Sequence, residues 1–381
     1  MPTIIKHKRV EFSELFYDLV FVFAISKTTA LIHHLHHGVL TWEAIASFIL
    51  TLLVLVNNWM IQTVFTNRFG RNSMLNIIVM FINMAILLLI SNMITNDWQG
   101  YFNYFCWTVG TLTLTLFLQY LVEYYRKTTT SENKMIIKGF LVMTGVRTLA
   151  LYIAAMLPIR IGMPIYLVGV LVTFIMPLGL RREGISFSVN FPHLLERVSL
   201  LVIITFGEMI MGIADFFTPE KFSFNSILYF IMMAALFLYY FGQFDHALDE
   251  EADTKGLHLI YSHYPIFAGL IMTTVSMSFL AEPKANHLFV VGFLYTGLFL
   301  FQWAVLSNSR HNKNYLRYDH KHFLVEAGLF LAGLILSFVF VNNSHLVIII
   351  TTIMLLGIQS HFTNFYIKKS NEHGISAGEW F

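Results

Sequence analysis

The sequence predicts an all-α, polytopic transmembrane helix bundle of about twelve spans, and three observations carry that prediction. Hydrophobic residues fill 56% of the 381 positions and charged residues only 12%, whereas a soluble domain is about 25% charged. Apolar runs of about 20 residues, the length of one helical crossing, recur between short polar breaks. Lysine and arginine gather in alternate breaks, the asymmetry acquired by a chain that crosses a bilayer repeatedly.

The first run, residues 14–31, follows the basic stretch Lys6-His-Lys-Arg9 and has Ser13 as its expected N-cap. The loop His33-His-Leu-His-His37 separates it from the second run, residues 42–65. Arg68 and Arg71 precede the third, 74–95; Asn96-Asp97 leads into the fourth, 101–124, which ends on Arg126 and Lys127. The fifth and sixth, 135–156 and 159–178, are divided only by Leu157-Pro158. That turn is short enough for a re-entrant pair to be the alternative. Arg181, Arg182 and Arg197 mark the next basic break. The remaining runs cover 198–217, 226–244, 259–281, 287–306, 323–341 and 345–367, with an acidic break at 245–253 and a basic one from Arg310 to Lys321. The intervening breaks hold only Arg160, Lys221 and Lys284. This bias, with an even number of crossings, predicts that both termini are cytoplasmic.

Six runs on, the pattern restarts. Gln119 to Arg126 closes the fourth run much as Gln302 to Arg310 closes the tenth, and Glu196-Arg197 matches Arg9-Val-Glu11 at the entry to its half. The expected organisation is two parallel six-span repeats, residues 1–180 and 181–381, related by an axis along the membrane normal.

Charges inside the runs are the candidates for function. An Asp at the centre of a membrane helix costs about 2.5–3.5 kcal/mol on insertion, so such groups face a partner or a watered path. Glu14 and Asp18 are four apart and share one helical face. Eleven residues, about 16 Å of helix and three turns, separate Arg197 from Glu208, which sets that acid near mid-bilayer beside Gly207. Glu208 is the strongest single candidate. Glu196 stands beside Arg197, and Lys27 is the expected cationic partner of Glu208 across the repeat interface. His263 in the ninth run is a candidate proton relay or a core hydrogen-bonding group. Arg147 in the fifth requires a carboxylate or carbonyl partner. The histidines at 33–37 read as a solvated loop, because no acid or thiol completes a ligand set.

Three stretches carry a resemblance to a known family. Glu14-Leu-Phe-Tyr-Asp-Leu-Val-Phe-Val-Phe-Ala-Ile25, Glu196-Arg197 followed by Ile204-Thr-Phe-Gly-Glu208, and His263-Tyr-Pro-Ile-Phe-Ala-Gly269 together resemble the bacterial low temperature requirement A membrane proteins. The resemblance spans almost the whole chain. It implies an integral protein of the bacterial plasma membrane, linked by its family name to growth in the cold. Lys27 stands where the resemblance implies a neutral polar residue. Phe16-Tyr-Asp-Leu-Val-Phe21 is more faintly similar to the Phe-Ser-Asp signature that opens each six-span repeat of the endolysosomal and bacterial potassium channels, an analogy of fold alone.

The chain lacks a P-loop, a dinucleotide glycine fingerprint, an HExxH pair and a nucleophile elbow. No catalytic residue, cofactor or metal ligand is therefore assigned. The single Cys106 excludes an internal disulfide. The basic, tyrosine-interleaved stretch from Lys313 to Lys321 suits lipid headgroups better than nucleic acid. Expected partners are the bilayer and a small ion or solute, with no nucleic acid; a homo-oligomer is compatible with the sequence. The expected function is a secondary transporter or channel whose path uses Glu14, Asp18, Lys27, Glu196, Arg197, Glu208 and His263. The alternative is a lipid- or isoprenoid-active membrane enzyme, or a cell-envelope assembly factor, using the same carboxylates.

Overall fold

The computed structural model describes residues 8–179, 189–252, 254 and 256–374. Lys6, Arg181, Arg182 and Lys255, which enter the expected charge alternation, lie outside the described residues. Twelve α-helices follow one another: α1 (Phe12–Ala30), α2 (Trp42–Phe69), α3 (Met74–Met93), α4 (Trp98–Tyr125), α5 (Ser131–Ala155), α6 (Ile159–Gly179), α7 (Phe191–Ala214), α8 (Phe224–Phe241), α9 (Leu257–Leu280), α10 (His287–Ser307), α11 (His320–Val339) and α12 (Ser344–Glu372). Among the described residues the only β-pairing is two isolated bridges. The fold is all-α and polytopic.

Eleven of the helices are long and apolar enough to cross a membrane. The exception is α1, which carries Glu14, Asp18 and Lys27 within 19 residues. Two further expectations are corrected. Ser13 lies inside α1; the helix begins after Glu11, whose side chain makes no capping bond. And α7 begins at Phe191, seven residues before the apolar run, so that His193, Glu196 and Arg197 are helical. The apolar pattern misplaced that start because the first turns of α7 interleave buried Phe191, Leu194 and Leu195 with His193, Glu196 and Arg197, which break the apolar run. Pro192 is tolerated there because first-turn amides have no helical acceptor.

Several other helix starts follow from local chemistry. Asp97 accepts from Gly100 N at 3.1 Å, Asn286 from Phe289 N at 3.2 Å and Asp319 from His322 N at 2.8 Å, each satisfying an amide that the first turn leaves unpaired. Helices α5 and α6 are separate antiparallel neighbours rather than a single broken element. A Cβ on Gly162 would stand 2.6 Å from the Ala154 carbonyl oxygen and one on Gly169 2.8 Å from the Ala150 Cβ, so small residues set their approach.

The helices divide between two compact units. Unit 1 comprises Met1–Ile32, Trp42–Leu201 and Asp253–Ile260; unit 2 comprises His33–Thr41, Val202–Ala252 and Tyr261–Phe381. In unit 1, α2 is buried almost all round although it carries Asn57, Asn58, Gln62, Thr66 and Asn67. A buried helix this polar needs partners on every side. Helices α4, α5 and α6 pack in sequence, and α1 packs on α2 and α3. The outer faces of α5 and α6 expose Leu149, Ile153, Leu171 and Ile175, as a bilayer requires. In unit 2, α12 packs against α8 and α11, and α8 ends in a π-helical stretch, Gly242–Ala247, that carries Gln243 into the interior.

Candidate functional site

Two pairs of residues, each spaced by one helical turn, meet in unit 1. Glu14 and Asp18 on α1 face His193 and Arg197 on α7, and all four are buried. His193 Nε2 lies 3.0 Å from Glu14 Oε2, and Arg197 Nη2 donates to Asp18 Oδ1 at 2.5 Å. Both pairings join positions 179 residues apart. Equal offsets mean that α1 and α7 run parallel and in register, as the odd number of spans between them, α2 to α6, requires.

Asp18 is held from three directions. Besides the Nη2 contact, Arg197 Nε donates to Oδ2 at 3.4 Å, and Trp59 Nε1 of α2 donates to Oδ1 at 2.6 Å. Arg197 in turn donates from Nη1 to Thr66 Oγ1 at 2.9 Å, and its guanidinium lies 5.2 Å from the centre of the Trp59 ring. Such a forked, stacked geometry uses what distinguishes arginine from lysine.

The environment of His193 bears on its tautomer. Asn67 Oδ1 accepts from Asn190 N at 2.9 Å, which orients the amide; its Nδ2 then donates to Asn190 O at 2.8 Å and faces His193 Nδ1 at 3.1 Å. A donor opposite Nδ1 makes that nitrogen the acceptor. That arrangement accommodates the tautomer with its proton on Nε2, directed at Glu14. With that tautomer the core holds two carboxylates against one guanidinium. The nearest further cation is Lys8, which donates to the carbonyls of Thr66 and of Gly70, the latter at 3.0 Å. Burial depresses the pKa of Lys8 below the usual lysine value, an effect that Glu14 opposes.

Glu14 is also the group that solvent can approach. A cavity of about 30 Å³, room for about one water, is lined by Lys8, Glu14, Thr66, Asn72, Gln62 and Gln119 among others. Behind it runs a chain of amides. Gln62 and Gln119 bond to each other at 3.1 and 3.2 Å, Asn83 Nδ2 donates to Gln62 Oε1 at 3.3 Å, and Thr115 donates to Asn83 Oδ1 at 2.6 Å.

The other expected site residues lie apart from this network. Glu196 is exposed on α7, pointing away from its neighbour Arg197. Lys27 is partly exposed, its ammonium 5.3 Å from the centre of the Phe23 ring. Glu208 and His263 belong to unit 2. The Glu208 carboxylate is half-buried and makes no hydrogen bond or ion pair among the described residues, and a Cβ on Gly207 would meet nothing within 4 Å. His263 is buried, with Nε2 2.9 Å from Tyr240 Oη. Arg147 finds its expected carbonyl: Nη1 donates to Asn57 Oδ1 at 2.5 Å and to Thr173 Oγ1 at 3.2 Å. The histidine-rich loop lines a cleft of about 550 Å³ with Glu282 and Lys284. Among the described residues no three His, Cys, Asp or Glu side chains are arranged to hold a metal ion.

Unit 2 contains a second buried carboxylate that the sequence left ambiguous. Glu326 on α11 is fully buried; its Oε2 accepts from Tyr239 Oη at 2.6 Å and Gln302 Nε2 at 3.1 Å, while His322 Nε2 lies 3.0 Å from Oε1. Tyr318 stacks on the His322 ring with centroids 4.0 Å apart, and the His361 ring is tilted against it at 4.6 Å. The missed residues of both clusters, His193, Trp59, Thr66 and Lys8 in one and His322, Tyr239 and His361 in the other, give only a faint signal. It lies in the spacing of His193-x3-Arg197 and His322-x3-Glu326 on single helix faces.

A bundle of membrane-crossing helices built round buried carboxylate–imidazole and carboxylate–guanidinium pairs defines a polytopic integral membrane protein. The model of the family described as bacterial low temperature requirement A protein (LtrA) matches residues 9–358, and the chain belongs to that family. A search of curated proteins finds no match.

Proposed function

We propose that this LtrA-family protein moves an ion or small solute across the membrane, with Glu14 as the proton- or cation-accepting group of the path. The observation that carries the reading is local: of the two buried carboxylates that share the Arg197 guanidinium, Glu14 is the one that lines a water-sized cavity, with Lys8 also in its lining. Asp18 is locked between Arg197 and Trp59, which suits a structural role. Glu14 has the His193 imidazole beside it and water within reach, which suits exchange. Neutralising Glu14 leaves the Asp18–Arg197 pair intact, so one acid changes state while the other maintains the frame.

Glu208, in unit 2, is in this reading a second exchanging group considered by itself, a mid-span acid whose carboxylate has no partner among the described residues. The repeat architecture, residues 1–180 and 181–381, belongs to the same proposal, with both termini cytoplasmic. Flux into proteoliposomes, read with pH- and potassium-sensitive dyes under an imposed gradient, tests it. Glu14→Gln and Glu208→Gln are expected to abolish flux while preserving the fold. Unchanged flux in Glu14→Gln refutes the assignment; absence of flux across a wide panel of ions and solutes, with folded protein, favours the lipid-active alternative.

A further inference from the structure

We propose that the groove between α10 and α11 binds an acyl chain of an anionic phospholipid, whose headgroup is held by the basic stretch that follows α10. The groove lies in unit 2 and encloses about 750 Å³. Its walls are apolar, with Phe299, Trp303 and Leu306 on α10 and Phe323, Phe330 and Leu334 on α11. From Gly292 to Leu306 it follows fourteen residues of α10, about 21 Å. That exceeds the roughly 15 Å of one hydrocarbon leaflet.

The polar side chains in the lining turn away from the groove. Tyr295 Oη bonds Ser337 at 2.8 Å and Thr351 at 3.2 Å, Thr296 donates to Gly292 O at 2.7 Å, and Gln302 gives its amide to Glu326. What faces the bilayer is hydrocarbon, which selects a lipid tail over a polar ligand. Trp303 is the exception. Its indole N–H makes no hydrogen bond among the described residues, the side chain is 58% exposed, and it lies one turn from the end of α10. Tryptophan at that depth matches the ester level of a lipid.

Charge complementarity names the headgroup. The basic stretch begins four residues past Leu306 and ends two before Phe323, the lining residues at that mouth. It holds Arg310, Lys313, Arg317 and Lys321 against the single acid Asp319, whose carboxylate is occupied capping α11. Lys313 is bound to His246 O at 3.0 Å, whereas the guanidinium groups of Arg310 and Arg317 make no hydrogen bond or ion pair among the described residues. Basic residues beside a membrane surface recognise anionic lipid.

The test uses the full-length protein released from membranes and examined by native mass spectrometry with phosphatidylglycerol or phosphatidylcholine of identical chains. Phosphatidylglycerol is expected to be retained more strongly, and Arg310→Gln to weaken that retention about fivefold, the effect of one surface charge. Gly292→Phe builds into open space, since a Cβ there meets nothing within 4 Å. It is expected to displace both lipids without lowering thermal stability. Equal retention of the two lipids, or retention unaffected by Gly292→Phe, overturns the proposal. So does a dimer that Gly292→Phe dissociates, because a second copy would then be the occupant of the groove. None of these outcomes depends on flux.

Discussion

Replacing Arg197 with methionine removes the one buried cation that, among the described residues, reaches both acids of α1. The side chain lies 2.5 Å from Asp18 Oδ1 and 3.8 Å from Glu14 Oε2, and it is fully buried. Breaking a buried pair by deleting one partner costs about 3–5 kcal/mol, because the other charge is left uncompensated. Removing both partners costs less. In Asp18→Leu/Arg197→Met the remaining penalty is the orphaned Trp59 N–H, about 1–3 kcal/mol. At about 2 °C per kcal/mol for a chain of this size, the single variant is expected to lose about 6–10 °C in thermal midpoint and the double variant about 2–6 °C. Tryptophan fluorescence or differential scanning fluorimetry in detergent reads both. A single variant within about 2 °C of the parent, or a double variant less stable than the single, refutes a buried ion pair as the clamp between α1 and α7.

Three further outcomes follow from the same geometry. Glu326→Ala strands Tyr239 Oη and Gln302 Nε2 in the interior and is expected to cost about 2–5 kcal/mol; Glu326→Gln keeps an acceptor and should cost less, as thermal unfolding will show. Gly162→Val places a side chain against the Ala154 carbonyl and is expected to destabilise by about 1–3 kcal/mol through overpacking, read in the same way. The His322 backbone N–H holds the Asp319 carboxyl below the usual aspartate range, so its capping bond contributes above the unfolded pKa and is lost as pH falls through the lowered folded one. Asp319→Ala should therefore destabilise by about 1 kcal/mol at neutral pH and by progressively less in acid.

The class of fold was readable because bilayer chemistry is written into run length and charge placement: each of the twelve expected runs overlaps a helix, and eleven of those helices are long and apolar enough to cross a membrane. The site was half readable. Glu14 and Asp18 stood out because each violates the apolar rule, and Arg197 because it closes the basic break before the seventh run; the structure brings those three together. Trp59, Thr66 and Asn67 conform to what a membrane helix tolerates, so nothing in α2 marked them as partners. His193 was hidden differently, because it lies in the first turn of α7, before the apolar residues 198–217 begin. Glu208 is the converse case. It breaks the rule most plainly, yet its carboxylate makes no polar contact among the described residues. Single-sequence reasoning finds the charge that needs a partner and leaves the partner to the fold.

The clamp has a consequence for how α1 enters the membrane. With Glu14, Asp18 and Lys27 in 19 residues, α1 is the one of the twelve helices too charged to qualify as a membrane crossing by itself. Glu14 and Lys27 lie in the end turns of α1, whereas Asp18 lies further in, where a charge costs up to about 2.5–3.5 kcal/mol and weighs against insertion of α1 alone. Its compensating groups, His193 and Arg197, lie 179 residues further along and are synthesised after five more spans. The stable membrane-embedded state of α1 therefore requires α7. As an isolated segment in a translocon insertion assay, α1 is expected to insert poorly, and Glu14→Leu/Asp18→Leu to insert efficiently. Efficient insertion of the parent segment would show that the acids cost little where they sit, and the clamp would then be an interaction of α1 and α7 after assembly rather than a condition for it.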